Sequence, residues 1–232
     1  MNRNGNVYTF IYASIMVIAV AAILSVTAIS LKPFQKKNIE IEKKQSILAS
    51  VNIEADAASA EKIYAEKIVN SYIVNAKGET VEGDAFNIDL KKERAKGDVN
   101  QRLFPVFECQ TDGSVKYILP LYGAGLWGPI WGYVSIESDM NTIYGANFDH
   151  QGETPGLGAE ISTDIFEKPF MGKKIFDAQG KFVSIIVAKS NETAPAEHKV
   201  DAISGGTITS KGLEKMLFDD LSSYKAFLES KK

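Results

Sequence analysis

The sequence predicts an α+β fold: a single N-terminal transmembrane helix followed by a mostly antiparallel sheet flanked by helices. Three observations carry that expectation. A long uncharged apolar stretch lies near the N-terminus, runs rich in β-branched and aromatic residues fill the middle, and an amphipathic repeat closes the chain. The division expected is an anchor over residues 1–32, a helical stalk and connecting region over 33–101, and a folded domain over 102–232.

The anchor rests on length and charge. No charged residue occurs from Asn4 to Leu31, and Phe10–Leu31 is apolar apart from scattered Ser, Thr and Tyr. At about 1.5 Å rise per residue, some 22 residues span a hydrocarbon core of roughly 30 Å. A cleaved signal has a shorter apolar region, about 7–15 residues, and a stronger basic start than Arg3 alone. Tyr8, Phe10 and Tyr12 lie at one end and Lys32, Lys36 and Lys37 at the other, with Pro33 marking an expected break. By the positive-inside rule alone, these lysines place the following domain in the cytoplasm.

Residues 34–52 carry Phe34, Ile39, Ile41, Ile47, Leu48 and Val51 among lysines and glutamates, which predicts a helix continuing from the membrane. Residues 57–73 repeat the pattern with Ala57, Ala60, Ile63, Tyr64, Ile68 and Tyr72, predicting a second stalk helix. Residues 77–101 are polar and read as an exposed, partly irregular excursion. Strands are expected at Arg102–Cys109, Val115–Tyr122, Trp131–Glu137 and Thr142–Phe148, with Asp112-Gly113 a hairpin turn. A further short strand is expected at Phe182–Ala188. Over Lys211–Leu228, the apolar residues Leu213, Met216, Leu217, Leu221, Tyr224 and Leu228 recur at helical spacing and predict a helix lying on the sheet.

Composition excludes several classes. With 45% hydrophobic and 24% charged residues, the chain is not largely disordered. A net charge of −3 gives no basic surplus for nucleic acid. One cysteine, Cys109, excludes an internal disulfide and a four-cysteine cluster, and its apolar surroundings read as a buried thiol. The two histidines, His150 and His198, share no ligand spacing, so no metal site is expected.

Chemistry concentrates in Val200–Gly212, VDAISGGTITSKG. Gly205 and Gly206 permit a tight backbone, and Ser204, Thr207, Thr209 and Ser210 supply four hydroxyls ahead of a helix. Two readings stay open on physical grounds. The turn either cradles an anion such as phosphate at the helix N-terminus, or is a glycine turn with a Ser/Thr N-cap.

Asp201-Ala202-Ile203-Ser204-Gly205-Gly206-Thr207 resembles the flavinylation motif of the FMN-binding domain family, Asp-x-x-Ser-Gly-Ala-Thr-x-Thr/Ser. In that family the threonine is joined to FMN by a phosphoester, and Thr207 holds its position. Gly206 departs from the usual alanine; being smaller, it is not expected to block modification, though it loosens the loop. His150-Gln151-Gly152-Glu153-Thr154-Pro155-Gly156-Leu157-Gly158 resembles the same family's His-x-x-Glu-Thr-Pro-Gly-Leu-Gly segment. The resemblance implies that Glu153, Thr154 and Leu157 line the isoalloxazine site. Tyr122–Gly128 is similar to a Gly-x-Gly-Leu-Trp segment in the C subunits of sodium-translocating NADH:quinone oxidoreductases, which offers Leu126 and Trp127 as flat apolar contacts. Read alone, a core tryptophan serves equally well, and this Gly-x-Gly lacks the context of a dinucleotide fingerprint. Asn6-Val7-Tyr8-Thr9-Phe10 before an apolar helix is also typical of these C subunits.

The resemblance implies a covalent FMN on Thr207, with Ser204, Gly205 and Gly206 in its loop and residues 102–232 as the FMN-binding domain. It also implies a separate flavin transferase, which uses FAD and a magnesium ion and to which Asp201 is a recognition point or else a brace for the loop. The expected partners are the other subunits of a bacterial inner-membrane sodium-pumping NADH:quinone reductase and the lipid bilayer. The FMN relays electrons from an iron–sulfur centre towards a second flavin and quinone, and its domain lies on the periplasmic side, against the lysine bias. No residue is expected to be catalytic on its own, and nothing in the chain reads as a nicotinamide site. Three alternatives accompany this reading: the G subunit of an Rnf-type ferredoxin:NAD oxidoreductase, a non-redox membrane-anchored scaffold, and a lone flavin reductase.

Overall fold

The computed structural model describes residues 5–189 and 191–232. Two compact units are found, Met1–Lys43 and Lys44–Lys232. The first helix, α1, runs without interruption over Asn6–Ala49. Its apolar stretch, with a mean hydropathy of 2.5, is long and apolar enough to cross a membrane, and side chains such as Phe10, Ile18 and Leu24 are exposed. Pro33 lies inside this helix rather than at its end. One lost backbone hydrogen bond does not stop a helix whose neighbours on both sides propagate cooperatively.

In the second unit, α2 (Ala60–Lys67) is followed by β1 (Ile68–Val74) and β2 (Thr80–Val81). The helix expected over 57–73 therefore ends at Lys67. Ile-Val-Asn-Ser-Tyr-Ile-Val is rich in β-branched and aromatic residues, and pairing with the next strand offers a ladder that helical periodicity overlooks. The polar region contains the short helix α3 (Leu90–Ala95), N-capped by Asp89, whose carboxylate accepts from Lys92 N. Next come β3 (Phe104–Thr111), β4 (Ser114–Ala124), β5 (Pro129–Ile136) and β6 (Ile143–His150). They form an antiparallel sheet of order β2-β1-β3-β4-β5-β6. The β3–β4 turn has positive φ at both Asp112 and Gly113, as a tight hairpin of right-handed twist requires.

Both sheet faces are covered, which explains the near-continuous apolar runs. Val106, Leu119, Leu121, Ile130 and Val134 join one core, and Phe107, Cys109, Ile118 and Tyr133 the other, by the period-two alternation of strands. Burial pushes the Cys109 thiol up to about 11, so it is an inert packing group. The short helix α4 (Asp164–Glu167) follows β6, and β7 (Ile186–Ala188) and β8 (Lys199–Asp201) form a separate parallel pair. The strand expected over 182–188 is thus only three residues long. Val183 and Ser184 both donate their amides to the Ile175 carbonyl, and Ser184 has φ +62°, so the chain is not extended there.

The closing helix α5 (Thr207–Ser223) begins four residues earlier than expected and breaks at Tyr224 into α6 (Lys225–Ser230). Leu213, Met216, Leu217 and Leu221 are buried against the sheet. Contact between α5 and β4 is unusually close. A Cβ on Gly212 would collide with the Ala124 carbonyl oxygen, and one on Gly123 would lie 2.7 Å from Met216 Cβ. Asp220 accepts from Tyr122 N at 2.7 Å, and the Tyr224 hydroxyl donates to the Pro105 carbonyl at 2.9 Å, fixing the helix along the strand.

This packing sets two expectations for stability. In an ordinary helix interior Gly→Ala stabilises by up to ~1 kcal/mol; Gly212→Ala here is expected to destabilise by about 1–3 kcal/mol in urea titration, because the methyl group meets backbone. Burial raises the Glu167 carboxyl to about 7, while Phe148 N donates to it at 2.6 Å. The unfolded value is about 4.3. Stability from this group is therefore fully present below about pH 4 and lost as pH rises through about 7. Relative to wild type, Glu167→Gln, which keeps the acceptor, is expected to gain roughly 1–3 kcal/mol between about pH 4.5 and 8, read from urea titrations across that range.

Candidate flavin site

The glycine turn sits where α5 begins. Gly205 has φ +76°, a conformation that glycine adopts at little cost, and Gly206 occupies the N-cap position. No side chain caps α5, so the Ser/Thr N-cap reading is not what the structure shows. The hydroxyls divide into two classes. Ser210, fully buried, accepts from Ile203 N at 3.1 Å, which ties the turn to the helix. Thr209, also buried, donates to Glu153 Oε2 at 2.6 Å. Thr207, the first residue of the helix, is half-buried, and among the described residues its hydroxyl has no partner. Ser204 is exposed beside it. A partner-free hydroxyl thus stands at an uncapped helix N-terminus, where backbone N–H groups and the helix dipole favour an anion.

A second loop packs on this turn. In Thr154–Leu157, Leu157 N donates to the Thr154 carbonyl at 3.1 Å, Pro155 fixes one φ, and Gly156 has φ +74°, the pattern of a type II turn. Gly156 N donates to Glu160 Oε1, holding the loop. Leu157 reaches over the glycine turn: a Cβ on Gly205 would lie 2.6 Å from Leu157 Cδ2, and one on Gly206 3.2 Å from the Leu157 carbonyl carbon. The third element is the β4–β5 loop, closed by Gly125 N donating to the Gly128 carbonyl at 2.8 Å, with Leu126 and Trp127 at its tip. Trp127 is 69% exposed, and Leu126, Leu157 and Ile208 are exposed as well. These apolar side chains come from the three segments that surround Thr207.

Glu153 lies at the centre of these elements rather than on the surface. It is 4% exposed; Oε1 accepts from Trp127 N at 2.8 Å and Oε2 from Thr209. Its own amide donates to His150 Nδ1 at 3.2 Å. Both oxygens are therefore engaged within the protein, unlike an oxygen held out to a ligand. Thr154 is exposed and contributes its carbonyl to the turn. Asp201 ends β8 with an exposed carboxylate whose partner is Lys199 Nζ at 3.5 Å, so it does not brace the loop. Ile208 joins the site without a motif to mark it; its one sequence signal is an apolar residue on the solvent side of an amphipathic helix. No cluster of metal-binding side chains is found among the described residues.

Residues 125–222 match the FMN-binding domain family, a stretch that runs from the β4–β5 tip to the end of α5 and encloses all of this geometry. The C subunit of the Na(+)-translocating NADH-quinone reductase of Neisseria meningitidis is 35% identical over 86% of this chain and 85% of its own length. The corresponding protein of Haemophilus ducreyi is 32% identical over 83% and 80%. The chain belongs to the family of Na(+)-translocating NADH-quinone reductase C subunits. A solved structure of a member of this family, from Parabacteroides distasonis, is 52% identical, covers 85% of this chain and 96% of its own, and superposes with a TM-score of 0.80. The α+β architecture of the second unit is that of the C-subunit family.

The turn also makes a stability prediction. Gly205→Ala places an L side chain in the left-handed region and against Leu157, and is expected to cost about 1–2 kcal/mol in urea titration. A neutral result would show that the turn has another conformation.

Proposed function

We propose that this chain is the component of a sodium-translocating NADH:quinone reductase that carries FMN covalently on Thr207. The observation that carries the reading is the Thr207 hydroxyl itself, partner-free at the head of an uncapped helix and framed by glycines. The residues fit the group. The N–H groups at the start of α5 suit a phosphate, Gly205 and Gly206 permit the tight turn that presents them, and Leu126, Trp127, Leu157 and Ile208 offer apolar surface to a planar ring. Bound FMN would accept and donate electrons; the chain's own part is to hold it and shape its surroundings.

Attachment is a group transfer. The Thr207 oxygen forms a bond to the FMN phosphorus of FAD, the bond to the AMP moiety breaks, AMP leaves, and the hydroxyl proton is released. A separate flavin transferase supplies the magnesium ion, and the exposed Asp201 carboxylate is available for it to read. Thr209 and Ser210 do not compete as acceptors, since both are buried and engaged. In the assembled complex we place this flavin between an iron–sulfur centre and the next flavin on the way to quinone, with other subunits of the complex as partners. We read the chain as a single-pass protein of the bacterial inner membrane, anchored by the apolar stretch of α1, with its second unit on the periplasmic side. The lysines at 32, 36 and 37 oppose that orientation; attachment by an exported transferase supports it.

Intact mass of the full chain, produced in a host that has the transferase, tests the reading. The native chain is expected to carry one added FMN less water, and Thr207→Val none. A native chain of bare mass, or a Thr207→Val chain that still carries the flavin, would overturn it.

A further inference from the structure

Glu153 has no role as a surface ligand, yet it is the most connected polar group beside Thr207. Its carboxylate joins two segments far apart in sequence: the β4–β5 tip, through Trp127 N, and the first turn of α5, through the Thr209 hydroxyl. Its surroundings are shaped to admit it. A Cβ on Gly125 would collide with Oε1, and a Cβ on Gly158 would lie 2.5 Å from both Oε2 and Thr209 Oγ1. Glycines therefore flank both oxygens, and the carboxylate fills the space where side chains are missing. A buried carboxylate oxygen that loses its donor is costly, so the two segments are held in one arrangement.

We infer that Glu153 and Thr209 form a clamp that positions Trp127 relative to Thr207 and so sets the surroundings of the flavin ring. The inference rests on the reading that Thr207 carries FMN. Glu153 acts through Trp127 and Thr209 and is a positioning residue, not a contact to the flavin. Thr209 lies two residues beyond the tether, so a shift of the first helical turn moves tether and clamp together. Trp127 is bound to the clamp by its backbone amide, which leaves its indole free at the surface.

The test uses the full flavin-carrying chain and separates the clamp from the tether. Thr209→Val keeps the shape and removes the donor; Thr209→Ser restores a hydroxyl; Glu153→Gln keeps an acceptor for Trp127 N and a polar partner for Thr209. Flavin content is read by intact mass, folding by the far-ultraviolet spectrum, and ring environment by visible circular dichroism of the bound flavin. At equal flavin content, the flavin dichroism of Thr209→Val is expected to fall at least twofold, with Thr209→Ser and Glu153→Gln close to wild type. Unchanged dichroism in Thr209→Val, or no recovery in Thr209→Ser, would overturn the clamp. If Thr209→Val fails to fold, Glu153→Ala takes its place with the same criterion, and if both unfold the clamp is a folding element and the inference falls. A wild-type chain without flavin would instead overturn the reading of Thr207.

Discussion

The site depends on how closely α5 can approach β4. Gly212 and Gly123 remove the side chains that would otherwise hold helix and strand apart, and the Ala124 carbonyl occupies the space. Because Ala124 ends β4 and the Leu126–Trp127 tip follows at once, the same contact sets where the head of the helix stands relative to the hairpin tip. A glycine inside a helix costs intrinsic stability of up to ~1 kcal/mol. That cost is offset by the burial of Leu213, Met216, Leu217 and Leu221 on the sheet and by polar contacts farther along the helix. Arg94 binds both Asp219 and Asp220, and Asp220 also takes the Tyr122 amide, so the far end of α5 is tied to the strand it lies on.

Around the near end of the helix, polar groups among the described residues fall into those that build the site and those that remain available, the Ser204 and Thr207 hydroxyls. Ser210 closes the glycine turn on itself, Thr209 joins the turn to Glu153, and Glu153 reaches the hairpin tip. Each of these groups is buried and partnered, as buried polar groups should be. Thr207 differs because the first turn of an α-helix leaves its N–H groups without intrahelical acceptors and here no side chain caps them. Residue types alone do not distinguish four hydroxyls in seven positions; burial and partners set Thr209 and Ser210 aside, and its place at the head of α5 separates Thr207 from Ser204.

Much of this fold is legible in the residue pattern. Asp112-Gly113 announces a hairpin because both residues tolerate positive φ, and Thr154-Pro155-Gly156-Leu157 announces its turn for similar reasons. Strands β3–β6 are legible because local alternation and β-branching agree with the tertiary partner that each finds. Ile68–Val74 reads as helix because apolar residues at 60, 63, 64, 68 and 72 have helical spacing, while the pairing that decides the matter is with residues 104–109. Pro33 reads as a stop because a single local penalty carries no measure of the helix on either side. The short run at 183–185 fails as a strand for a third reason: two amides share the Ile175 carbonyl, a long-range detail with no local signature. In the site, the motifs mark three loops that the structure brings together, but the direction of Glu153, inward to Trp127 N and Thr209 instead of outward, depends on the missing side chains at Gly125 and Gly158.

The proposed attachment at Thr207 would give the flavin phosphate a second ester bond. Phosphorus NMR of the flavin-carrying chain, followed from about pH 5 to 8, reads that bond directly, since a phosphate with one ester bond titrates with a second pKa near 6 and one with two ester bonds has no proton left to lose there. Attachment predicts a single resonance that does not move across this range. A resonance that shifts with pH through the range would mean a flavin with a free terminal phosphate, held without a bond to Thr207, and would contradict it.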